Sequence, residues 1–82
     1  MRIDKYLNAV NITKRRTVAQ DMISSGVVSI NGKVVKASKN VEPGDVITIA
    51  YLKGEKKYEV LQIPVTKSTP KSKQDEYVKE LA

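Results

Sequence analysis

Lys14-Arg15-Arg16 is a dense cationic run, and Lys33, Lys36 and Lys39 follow around an Asn31-Gly32 pair. Lysine and arginine clustered this way neutralise phosphates, and backbone N–H groups at a helix start add donors to the same task. Through residue 41 there are eight basic residues against two acidic ones, Asp4 and Asp21, a balance equal to the whole chain's net charge of +6. Residues 42–82 carry seven of each sign. A small chain with this asymmetry reads as a binder of a polyanion.

The position of the run sharpens that reading. Lys14-Arg15-Arg16 is predicted to open a helix, where each exposed cation opposes the helix dipole at a cost of about 0.3–1 kcal/mol. A nucleic-acid phosphate there relieves the repulsion, and local chemistry that works against the fold points to function. On the helix Arg16 and Gln20 stand one turn apart beside the apolar stripe, while Lys14 neighbours Thr17 and Asp21. Arg15, three residues before Val18, is expected to lay its alkyl stem along the core edge, leaving Arg16 to reach the ligand. Arg2 and Lys5 flank the same helix pair and, with Gln20, are expected to contact the RNA alongside Lys14, Arg15 and Arg16. Lys33, Lys36 and Lys39 either blunt an edge hairpin or, together with the helix-end cluster, extend one basic surface; in so small a domain the second reading is favoured. Thr13, Ser38 and Asn40 can donate to phosphates, yet each has an equally good capping or turn role.

Other chemistry is thinly supplied. Cysteine and histidine are absent, which removes disulfides, structural zinc, thiol nucleophiles and the usual neutral-pH proton shuttle. Glu42 and Asp45 read as turn residues, Asp75-Glu76 as a helix cap and Glu55 and Glu59 as strand-surface charges, so no carboxylate pair suggests acid/base work. The four glycines stand singly at element junctions and form no phosphate loop. The expectation is a protein that is not an enzyme and uses no cofactor or metal. Tyr6 is the only aromatic residue of the basic half and its spacing turns it inward, so recognition of folded RNA by backbone shape is favoured over reading of splayed bases. The charged opening Met1-Arg2-Ile3-Asp4-Lys5 and the lack of a membrane-length apolar run predict a cytoplasmic chain with no membrane partner.

These residues need elements to hold them. Ile3, Tyr6, Leu7 and Val10 fall on one face of a short helix, and Asn8 with Asn11 suits its end. Thr13 is expected to cap a second helix with the stripe Val18, Ala19, Met22 and Ile23, ended by Gly26. Beyond it the period becomes two: Val28 and Ile30, a type I′ turn at Asn31-Gly32, and Val35 returning opposite Val28. Glu42-Pro43-Gly44-Asp45 is a second turn, Val46 to Tyr51 a strand with Ile47 and Ile49 on one side, and Lys53-Gly54-Glu55-Lys56 a loop into a last strand from about Tyr58 to Ile63. Residues 1–64 thus form the domain. Residues 65–82 are expected to be a linker to Gln74 and then a short C-terminal helix in which Tyr77, Val78 and Leu81 share a face and need a docking surface.

In this order Arg2-Ile3-Asp4-Lys5-Tyr6-Leu7, Lys14-Arg15-Arg16-Thr17-Val18-Ala19, Gly26-Val27-Val28-Ser29-Ile30-Asn31-Gly32 and Gly44-Asp45-Val46-Ile47 resemble the S4 RNA-binding domain. The resemblance covers residues 1 to about 50. It implies an α+β, S4-like (αL) fold, with two short antiparallel helices packed on a small, mostly antiparallel sheet, that grips structured RNA with the helix pair and the adjoining hairpin loop. Its RNA-contact positions carry over onto Arg2, Lys14, Arg15, Arg16 and Lys39. Asn11-Ile12-Thr13 stands where many members place a further Ser-Arg pair. A free-standing copy with this opening is similar to the RqcP-type and small heat-shock branches of that family. The likeness implies a non-catalytic factor, monomeric when free, on large ribosomal subunits blocked by peptidyl-tRNA, touching 23S rRNA and tRNA and assisting RqcH in alanine tailing where that factor exists. A general structured-RNA or tRNA chaperone, or a subunit positioning RNA for a separate modifying enzyme, are the alternatives.

Overall fold

The structure is a computed structural model that describes residues 1–64 and 75–81. Its elements run α1 (Ile3–Ala9), α2 (Arg16–Ser24), β1 (Val28–Ile30), β2 (Lys33–Val34), β3 (Val46–Tyr51), β4 (Gly54–Val60) and β5 (Val78–Leu81). All neighbouring strands pair antiparallel in one sheet of order β2-β1-β3-β4-β5. The two helices pack on one another, and the core lies between them and the sheet.

The apolar face expected of α1 is realised, since Ile3, Tyr6, Leu7 and Val10 are fully buried. Both helices end in the same way. In α1 the N–H of Asn11 bonds to Asn8 O and that of Ile12 to Leu7 O; in α2 Gly26 bonds to Ile23 O and Val27 to Met22 O. This pairing of the last carbonyls with the next two N–H groups needs a left-handed residue just past the helix. Asn11 at φ 66° and Gly26 at φ 77° supply it.

Helix α2 starts later than the sequence suggests. Thr13 is not its cap: the buried Thr13 hydroxyl donates to Arg15 O at 3.1 Å, and Arg15 is the extended residue before the first helical position. Lys14 therefore lies in the loop and shares no helical row with Thr17 and Asp21. Ile12 and Thr13 both give their N–H groups to Leu7 O, back on α1, which holds the chain against that helix until it turns.

The Asn31-Gly32 turn is present, with φ of 52° and 87° and Ile30 paired to Lys33, as a type I′ turn requires. Asn31 also pins the hairpin to the next turn: its Nδ2 donates to Asp45 Oδ1 at 3.2 Å and its Oδ1 accepts from Val46 N at 3.0 Å. Ile47 and Ile49 share the buried side of β3. Strand β4 begins at Gly54, not near Tyr58, because Tyr51 pairs with Gly54 across a turn of only two residues, Leu52 and Lys53. Its first four residues are all exposed, so no apolar alternation announces them.

The expected C-terminal helix is corrected to a strand. Asp75 and Glu76 form a short 3₁₀ turn, and Val78–Leu81 pairs along β4 with Val60 opposite Val78 and Lys57 opposite Leu81. A helix this short gains little by itself, whereas the open edge of β4 satisfies a whole row of backbone groups. Tyr77 O accepts from Leu61 N at 2.8 Å and from the Tyr6 hydroxyl at 2.9 Å, so the chain end is fastened to both sheet and helix. The expected linker, residues 65–74, lies outside the described residues.

Candidate nucleic-acid interface

Asp4 organises the basic face. It sits in the first turn of α1 with no exposed surface, a place where a carboxylate survives only if its oxygens are satisfied. Oδ1 accepts from Lys5 N at 2.8 Å, and Oδ2 accepts from Gln20 Nε2 at 3.0 Å, Arg16 Nε at 3.2 Å and an Arg2 guanidinium nitrogen at 3.4 Å. Arg2 Nε lies 3.4 Å from Oδ1. Burial pushes the Asp4 carboxyl up, but the bonds from Gln20, Lys5 N and Arg16, with the Arg16 charge, outweigh it and hold the group below its ordinary value. Asp4 is therefore a fixed anion at neutral pH.

The one-turn spacing of Arg16 and Gln20 on α2 brings both to this carboxylate. Their arrival has two consequences. Gln20 spends its amide donor inside the cluster and serves as a brace. Arg16 is tied through Nε alone while its side chain stays 45% exposed, so the terminal guanidinium nitrogens remain for a second partner. Arg2, 48% exposed, is held alike by Asp4 and by Ala37 O at 3.4 Å. The division expected between the two arginines is thus reversed in its structural half. Arg16 braces the fold, and the exposed side chain of Arg15 has no hydrogen-bond or ion-pair partner among the described residues.

Backbone pairing brings the turn that carries Lys36 and Lys39 to the start of α1. Ile3 N bonds to Lys39 O at 2.8 Å, Val41 N to Met1 O at 2.9 Å, and Arg2 bridges Asn40. The turn closed by Lys39 N and Lys36 O at 3.0 Å is thereby sewn to the start of α1. Lys33, on β2, lines one groove together with Lys39 and Asn40 and with the acidic Glu42 and Asp45. Lys5, Lys14, Arg15, Lys33, Lys36 and Lys39 are all exposed, and none of their side chains has an internal partner among the described residues. The structure brings Arg2, Arg16 and Gln20 together on Asp4 and ties the Lys36–Lys39 turn to them. It leaves Lys33 at the hairpin end and Lys14 with Arg15 in the approach to α2.

Sequence reasoning missed Asp4. The signal available was its rarity, one of two acids among eight bases in the first half, at the edge of an apolar helical face. Among the described residues no group of acidic side chains is placed to hold a metal ion, and no helix is long and apolar enough to cross a membrane.

Known proteins resemble this chain in sequence and in fold. The S4 domain matches residues 1–47, which span both helices, β1, β2 and the start of β3. Over 78 residues the chain is 47% identical to the RQC P-site tRNA stabilizing factor of Helicobacter pylori, covering 95% of this chain and 93% of that protein. A solution structure of a hypothetical protein, HP1423, superposes with a TM-score of 0.87 at 45% identity, covering 100% of this chain and 98% of that one. The trimeric heat shock protein 15 of Vibrio cholerae superposes with a TM-score of 0.88 at 32% identity, covering 100% and 82%. On the matched segment and on these likenesses along nearly its whole length, the chain belongs to the S4-domain family.

Proposed function

We propose that this chain is a non-catalytic RNA-binding factor of the cytoplasm that docks on the obstructed large ribosomal subunit, meets 23S rRNA and tRNA there, and supports rescue of stalled nascent chains. The observation that carries the reading is that, of the eight basic residues before residue 42, six are exposed without internal partners among the described residues and the other two are arginines that a buried carboxylate holds in place. The two braced arginines lose little order when a phosphate arrives, the unpaired cations add uncompensated charge, and polyanionic RNA supplies phosphates at regular spacing. The name shared by its relatives, RQC P-site tRNA stabilizing factor, supplies the ribosomal context, with RqcH as the partner wherever that elongation factor exists. Sedimentation of cell extract through a sucrose gradient tests the proposal. Co-migration with large subunits, enriched under stalling, is expected. Free migration with intact RNA affinity would replace it with a general RNA chaperone, and stable co-purification with a modifying enzyme with an RNA-positioning subunit.

A further inference from the structure

The core side of the sheet continues past the helices that cover it. Ile47, Ile49 and Tyr51 alternate on β3, and the register sets Tyr58, Lys56 and Gly54 opposite them on β4. Ile47 and Ile49 are fully buried and Tyr58 nearly so, but Tyr51 is 41% exposed and Leu52, at the turn, wholly exposed. Ile12, from the loop after α1, walls this shelf on the helix side and closes a groove with Tyr51, Leu52, Lys53, Lys56 and Tyr58. A partly exposed aromatic ring and a wholly exposed aliphatic tip thus stand side by side as a small apolar platform at the rim of the groove.

Charge selects which occupant. Lys56 is engaged by Glu80 at 3.6 Å. Lys53 has no partner among the described residues, and Lys14 and Arg15, equally unpaired, follow Ile12 by two and three residues. Glu55 lines the groove and Glu80 stands beside it, engaged with Lys56 and Tyr58, so Lys53 is the groove's cation without an ion-pair partner among the described residues. A ring and an aliphatic tip beside the unpaired Lys53, on a wall whose Ile12 leads along the chain to Lys14 and Arg15, fit a nucleobase joined to its phosphate better than an aliphatic peptide. On the reading that the chain binds RNA, we infer that this shelf takes an unpaired nucleotide of the same RNA, with its base stacked on Tyr51 beside Leu52 and its phosphate met by Lys53. The fold then supplies a stacking platform that its basic half lacks, so the protein joins backbone recognition of a folded RNA to capture of one splayed base.

Binding of a blunt RNA hairpin, and of the same hairpin carrying a short unpaired adenosine extension, tests this with the full chain. The extension is expected to tighten wild-type binding about tenfold. Tyr51→Ala and Leu52→Ser should remove most of that gain, Tyr51→Phe should keep it, and all should bind the blunt hairpin alike. Leu52 packs on nothing, so Leu52→Ser carries the test even if Tyr51→Ala melts early. Equal wild-type affinity for the two RNAs overturns the inference and leaves RNA binding standing, whereas failure to bind either RNA overturns both. A gain that Leu52→Ser leaves unchanged also overturns it, as does self-association of the wild type that Leu52→Ser abolishes, which would assign the shelf to a second copy.

Discussion

Arg16 Nε donates to Asp4 Oδ2 at 3.2 Å, joining the first turns of the two helices through a carboxylate with no exposed surface and a guanidinium that is 45% exposed. One side chain thus closes the helix pair and faces solvent. Removing it leaves a buried anion short of a donor, with Arg2 and Gln20 still in place. We expect Arg16→Ala to lower stability by about 1–3 kcal/mol and also to weaken RNA binding. Arg15→Ala should weaken RNA binding while shifting stability by no more than about 0.5 kcal/mol. Paired melting and binding measurements separate the two, and equal melting losses would contradict the assigned roles.

The depressed Asp4 carboxyl makes stability depend on acid. Because the folded state holds this group below its unfolded value of about 4, its contribution is complete above that value and is lost as pH falls through the lower, folded one. Stability of the wild type should therefore fall in that acid range, and Asp4→Asn should show a shallower fall from a lower plateau. Denaturant unfolding at a series of pH values reads both.

Phosphate contact predicts salt dependence. Each neutralised phosphate contributes a slope of about −0.7 to −0.9 in log K against log salt. With Arg2, Lys14, Arg15, Arg16 and one hairpin lysine engaged, the total should be about −3 to −5. A nearly flat dependence in a titration series would exclude an interface built on the RNA backbone.

The chain end has a stability role that can be measured. Truncation after Pro64 removes the buried Val78, worth about 1.5–3 kcal/mol, and the bond from the Tyr6 hydroxyl to Tyr77 O, worth about 1 kcal/mol. The truncated protein should melt well below the wild type yet bind a blunt RNA hairpin with unchanged affinity wherever it remains folded. Loss of that affinity in the folded truncation would draw the tail into the interface.

What was legible in the chain was what neighbours decide. The period of Ile3, Tyr6, Leu7 and Val10, the Asn31-Gly32 turn and the Gly26 helix exit each depend on a few adjacent residues, and each was found where expected. The fifth strand was hidden because Val78–Leu81 is short and takes its conformation from the edge of β4, not from its own pattern. The start of α2 was hidden because Leu7 O, across a loop, captures the N–H groups of Ile12 and Thr13. Of the site, the cations were visible by type, while their sorting into braced and free was not. That sorting rests on Asp4, whose partners lie on α1, α2 and the segment before α1 and meet only in the folded chain.

The central claim is that a buried anion aims the cations of an RNA-binding face, and Asp4→Asn tests it most directly because two effects carry opposite signs. The substitution raises the net charge by one unit, which by attraction alone should tighten RNA binding. It also leaves one acceptor oxygen where two served and turns an amide NH₂ toward the donors of Arg16, Gln20 or Arg2, so the guanidinium groups lose their fixed positions. The measurement is the affinity of the folded variant, checked by melting, for structured RNA at constant low salt. We predict binding weaker than wild type by roughly five- to tenfold; affinity equal to or tighter than wild type would contradict the account.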